Sequence, residues 1–149
     1  MDFISPTLDN LVDRLKQLNP EATALWGQMS LLRMIEHLTD SVQLSIGRHS
    51  FELEIPEQNI ERAQQFLISE HPMPKEFAVK FATPEMGTRN TSIDAAIEEF
   101  KVAWNLFEVH YAENPQQKTL HPNFGELNYT QWLRLHSKHI THHLSQFGS

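Results

Sequence analysis

YTQWLRLHSKHITHHLSQF, residues 129–147, is the stretch whose reading decides the fold. At about 100° per residue, Trp132, Leu135, His136, His139, His143, Gln146 and Phe147 fall on one side of a helix. Trp132, Leu135 and Phe147 mark that side as facing a core. Three of the histidines therefore point inward, and His142 lies toward the edge of the stripe. A solvated histidine face would stand opposite the tryptophan, not beside it. Asn128 supplies an N-cap and Gly148 a stop.

Three further segments carry the same helical period. TLDNLVDRLKQL (7–18) aligns Leu8, Leu11, Val12, Leu15 and Leu18, and Asn19-Pro20 ends it. SLLRMIEHLTDSVQLSIG (30–47) aligns Leu31, Met34, Leu38 and Val42, with Ser30 as cap and Gly47 as stop. SIDAAIEEFKVAWNLFEVHYA (92–112) has a stripe of Ile93, Ile97, Phe100, Trp104, Phe107 and Tyr111. Residues 48–90 are less regular. There EQNIERAQQFLISE (57–70) reads as a shorter helix. HPMPKEFAVKFATPEMGTRN (71–90) reads as a long connection with a brief extended piece at FAVKF. ENPQQKTLHPNFGELN (113–128) reads as a loop, from its Asn-Pro, His-Pro and Phe-Gly pairs. No strand pattern stands out. The expected class is all-α: a four-helix bundle with a long crossover between the second and third main helices, in one domain over residues 1–149.

Bulk composition narrows the chemistry. A net charge of −7 argues against nucleic-acid backbone binding, which needs a basic surface. With no cysteine, thiolate zinc fingers, disulfides and cysteine nucleophiles are excluded, and a metal site must draw on His, Asp or Glu. No run approaches the eighteen or so apolar residues of a membrane span, and no basic-then-apolar leader opens the chain. A cytoplasmic protein is the expectation.

Of the nine histidines, four sit on the last helix. His139 and His143 are one turn apart, about 6 Å of rise, and can chelate one ion. His136 and His143 are two turns apart and share an ion less easily. A chance pairing in a histidine-rich helix stays open beside the ligand pair. A third ligand is needed, and His37 in MIEHLTD lies beside the core stripe of the second main helix. Alone, such a histidine is usually a satisfied core residue. Together with His139 and His143 it makes a three-histidine site, of the kind bundle cores build from facing helices. Asp40 and Gln146 are spaced to hydrogen-bond the far sides of bound imidazoles, or to be simple polar rim residues. His71 and His121, each before proline, read as solvated turn residues. His49 and His110 sit near helix ends, where an imidazole suits the dipole.

At these residues the chain resembles the DinB/YfiT-like superfamily of metal-binding four-helix bundles. The matching stretches are HLTD (37–40) and HITHHLSQ (139–146). WGQM (26–29) and HPNFGEL (121–127) are similar to a branch described only as a domain of unknown function. The resemblance implies an up-down-down-up bundle and ligands at His37, His139 and His143, with His142 a neighbour. It also implies a homodimer and either hydrolase chemistry or transfer using a low-molecular-weight thiol. His136 departs from the pattern and has no assigned role.

Three functions compete. In the first, a metal-dependent enzyme acts on a small molecule: three neutral imidazoles leave coordination open, and a water or thiol is activated there. Zinc suits an all-nitrogen triad, and nickel, iron or manganese are alternatives. His136 or Glu36 would be the nearest groups to move a proton. In the second, a non-catalytic metal- or small-ligand-binding dimer closes the ion with His136, Asp40 or Glu36. In the third, the histidines form a hydrogen-bond network with no ion.

Overall fold

Residues 2–74 and 87–149 are described by the computed structural model, so the extended piece expected at FAVKF (77–81) lies outside the described residues. The chain runs α1 (Leu8–Lys16), α2 (Leu31–Leu44), a 3-10 turn (Glu57–Asn59), α3 (Ile60–Ile68), α4 (Ile93–Glu113), β1 (Thr119–His121), β2 (Gly125–Leu127) and α5 (Tyr129–Gln146). Side-chain caps start the three longest helices. Ser30 accepts from the Arg33 N–H at α2, and Ser92 accepts from that of Ala95 at α4. Asn128 and Gln131 form a reciprocal capping box at α5.

The core forms along α4. Phe100, Trp104 and Phe107 are fully buried there, and both α1 and α2 pack against this helix. Leu11 and Leu15 come from α1, and Met34, Ile35 and Leu38 from α2. Each such side chain stabilises the fold by about 1.5–3 kcal/mol when fully buried. The Tyr111 hydroxyl donates to the Ser45 carbonyl at 2.7 Å, tying the far end of α4 to the end of α2. α5 packs on α2 and α3. The N-terminal segment is pinned along α5, where the Ile4 N–H donates to Thr141 Oγ1 at 2.8 Å.

The all-α expectation needs one correction. The chain is mostly helical, with five α-helices, but a two-stranded antiparallel sheet stands where HPNFGEL was expected to be a loop. Thr119 pairs with Leu127, Leu120 with Glu126 and His121 with Gly125. Strands of three residues are too short to show a period of two, so turn chemistry carries the signal. The Phe124 N–H donates to the His121 carbonyl, and Gly125, the first residue of β2, adopts φ +76°, the left-handed conformation that brings the chain out of the turn over residues 122–124. Gln64 on α3 fastens the hairpin, its amide N–H donating to the carbonyls of Phe124 and Glu126. No helix among the described residues is long and apolar enough to cross a membrane.

Candidate metal centre

α2 and α5 bring His37, His139 and His143 together. His139 Nε2 lies 2.8 Å from His37 Nε2 and 3.0 Å from His143 Nε2. One ligand atom from each of the three falls within 4.8 Å of the others, so the cluster could hold a metal ion. The two contributions differ. α5 supplies neighbours one turn apart, and α2 supplies a side chain from 102 residues away in sequence.

The far side of His143 is fixed by a chain of hydrogen bonds. Gln146 Nε2 donates to the Trp26 carbonyl at 2.9 Å, and Gln146 Oε1 faces His143 Nδ1 at 2.8 Å. A backbone carbonyl only accepts, so the amide must turn its NH2 toward Trp26 and its oxygen toward His143. His143 Nδ1 therefore carries the proton, and its Nε2 presents a lone pair to the cluster. Gly27 makes this approach possible. Its φ is +76°, and a Cβ there would stand 2.8 Å from Gln146 Nε2. The loop is also held from Leu25, whose N–H donates to the Gln146 carbonyl at 2.7 Å.

A family model described as "Protein of unknown function (DUF1569)" matches residues 1–149. The chain belongs to this family. No curated protein matches it, and no solved structure does.

In this DUF1569 chain the donor set fits a cation. With His143 Nε2 acting as acceptor, no placement of ring protons makes both contacts of His139 Nε2 linear hydrogen bonds. If His139 donates to His143, it has no lone pair for His37. If it accepts from His37, two lone pairs face each other across 3.0 Å. A divalent ion takes all three lone pairs. Zn–N distances of about 2.0–2.1 Å in a tetrahedron space nitrogens about 3.3 Å apart, so the two contacts of His139 need open by only about half an ångström or less. Protonation agrees with this. Burial, first, and neighbouring imidazoles push His37 and His139 well below the ordinary imidazole value. His143 falls to about 4, with burial leading and the Gln146 hydrogen bond opposing. Neutral imidazoles are the form that binds metal.

The other expected site residues lie elsewhere. Asp40, expected behind His37, pairs instead with Arg89 Nη2 at 3.0 Å and Arg33 Nη1 at 3.6 Å. The fully buried Glu36 carboxylate accepts from the backbone N–H groups of Arg89 and Asn90 and from Asn90 Nδ2. Burial raises its pKa, but the Asn90 and Arg89 hydrogen bonds outweigh that and hold it below the usual carboxylate range. His136 sits in an aromatic box, its ring 5.1 Å from Phe107 and 5.6 Å from each of Trp104 and Trp132. Burial pushes it down to about 3, with His121 adding to the effect. His142 stays at the edge, half-buried between the Trp26 ring at 5.9 Å and that of His143 at 4.9 Å.

Some residues escaped the sequence reading. His121 is not a solvated turn residue. It is buried against Phe124 and Trp132, and its Nδ1 accepts from the Asn123 N–H. Arg89, bonded through Nε and Nη2 to Glu99 and through Nη2 to Asp40, anchors the return of the chain into α4. Its only sequence signal is a lone arginine at the close of a long polar connection.

Proposed function

We propose that this protein is a metal-dependent enzyme of the DinB/YfiT-like kind, acting on a small molecule through an ion held by His37, His139 and His143. Zinc is the first choice for three neutral nitrogens, with nickel, iron and manganese as alternatives. In the corresponding fold reading, α1, α2, α4 and α5 are the four bundle helices, with α3 on the crossover. The packing of α1 and α2 on α4, and of α2 on α5, supports that reading.

One observation favours the enzyme over a closed binding site. The three groups that would complete the coordination are engaged elsewhere. Asp40 serves two arginines, Glu36 caps the Arg89–Asn90 backbone, and His136 is enclosed by aromatic rings. An ion on three imidazoles then keeps open positions, as catalytic sites do. A bound divalent ion supplies a Lewis acid that makes a water or a low-molecular-weight thiol nucleophilic near neutral pH. The chain's own groups orient and exclude. Gln146 fixes the tautomer of His143, and the aromatic box keeps water from the α4 side. Glu36 and His136 are poorly placed to move protons, and among the described residues His142 is the half-exposed imidazole at the edge of the site.

The test is metal analysis of protein purified without a metal-affinity tag, followed by zinc and nickel titration. About one ion per chain is expected, lost on replacing His139 with alanine. A protein that carries no metal and takes up none defeats the proposal.

A further inference from the structure

A second feature lies about a third of a turn around α5 from the histidine cluster. A cavity of about 280 Å³ is walled by Phe3, Trp26 and Met73 on one side and by Lys138, Thr141 and His142 on the other. This is near the lower end of the size range of small-molecule sites. Its wall is largely apolar, and Lys138, Thr141, His142 and Ser145 bring polar groups to it from one face of α5.

Lys138 is the unusual member. The residue is 0% exposed, yet no carboxylate among the described residues stands within ion-pair distance of its ammonium. Nζ donates to the His71 carbonyl and to Ser69 Oγ, both uncharged, and lies over the rings of Phe66 at 4.1 Å and Phe3 at 4.8 Å. Arg134 adds a second cation, its guanidinium 5.3 Å from the Phe3 ring centroid. Among the described residues Glu70 is the acid nearby, and it stands 3.7 Å from Arg134. Two cations thus face one carboxylate, among the described residues, in a protein whose net charge is −7. A buried charge without a counter-charge is costly, and a ligand that brings one recovers that cost. Other groups of the wall have capacity to spare. Thr141 Oγ1 accepts from Ile4 and keeps its own proton to donate. His142 makes no hydrogen bond among the described residues.

We propose that this cavity binds a small monocarboxylate with an apolar body, the carboxylate drawn to Lys138 and Thr141 and the body seated against Trp26, Phe3 and Met73. The site does not depend on a bound metal. It does share Trp26 with the chain of contacts that orients His143, so its occupant would also be felt at the histidine cluster.

Calorimetric titration of the full-length protein with benzoate, benzyl alcohol and benzylamine tests this, before and after chelator treatment. Benzoate should bind in both states, about ten-fold or more above the other two, the selectivity a charged hydrogen bond confers. Lys138→Met should remove that preference. Ser145→Phe, which fills the cavity from the same wall, should abolish binding of all three, and covers the case in which the lysine variant does not fold. Equal binding of benzylamine, no binding of benzoate, or benzoate binding indifferent to Ser145→Phe overturns the proposal. So does benzoate binding that vanishes on chelation, since the carboxylate would then belong to the metal. Failure to load metal, by contrast, bears only on the proposed enzyme.

Discussion

Gln146 Oε1 stands 2.8 Å from His143 Nδ1 while the other end of the same amide is held by the Trp26 carbonyl. A backbone group thereby decides which nitrogen of His143 is free. Partners of this kind typically contribute about 10–100-fold to metal affinity. Gln146→Leu should weaken zinc binding by that factor in competition with a chromophoric chelator, the secondary structure being unchanged. Gly27→Ala should act in the same direction, because its Cβ meets Gln146 Nε2 and its φ is left-handed. Unchanged zinc affinity in both variants would show that the bridge does not orient the ligand.

Metal should also report on stability. A ligand that binds only the native state stabilises by about 2.7 kcal/mol at a hundred-fold excess over its dissociation constant. Thermal melts of the wild type should therefore shift upward with added zinc. His139→Ala should melt close to the metal-free wild type and ignore zinc, because His139 Nε2 is the nitrogen that touches both partners. If the variant instead fails to fold without any metal present, the histidines form a structural network.

Acid should destabilise the metal-free protein through its buried imidazoles, two of which, His121 and His136, lie outside the triad. Burial holds His121 at about 3, and burial together with His121 holds His136 at about 3, against an ordinary value of 6.5. Both imidazoles stay neutral in the fold while the unfolded chain takes up protons below 6.5. Their contribution is thus complete above pH 6.5 and is lost as the pH falls toward 3. Each costs up to about 1.4 kcal/mol per pH unit across that window. Urea denaturation at pH 7.5, 6 and 5 should show the decline, and His136→Phe should make it shallower by that residue's share, His121 and the metal-free triad keeping theirs. A wild-type stability that is level over this range contradicts the burial of both rings.

The sequence carried the helices well and the environment of the site less well. Ser30, Asn128 and the stripes of α2, α4 and α5 were legible because caps and a 3.6-residue period are local. The convergence of His37 with His139 and His143 was legible because only core-facing positions meet between helices. Spacing left Asp40 open between a partner for His37 and a polar rim residue; its pairing with Arg89, 49 residues further on, is long-range and had no local signal. His121 was misread because a histidine before proline looks like a turn residue, whereas its burial depends on Trp132 from another element. The hairpin itself was hidden by the brevity of its strands.

Two glycines separate backbone strain from crowding. Gly47 and Gly125 both adopt positive φ, +80° and +76°. An alanine at Gly47 meets nothing within 4 Å, so Gly47→Ala should cost only the left-handed backbone penalty, about 1–2 kcal/mol. At Gly125 the new Cβ stands 3.0 Å from Ile60 Cγ2, so Gly125→Ala should cost more. Ile60→Ala should recover the excess but not the backbone part, which a double-mutant cycle in urea measures directly. Equal costs at the two glycines would mean that α3 yields freely, and that the hairpin is not held against it.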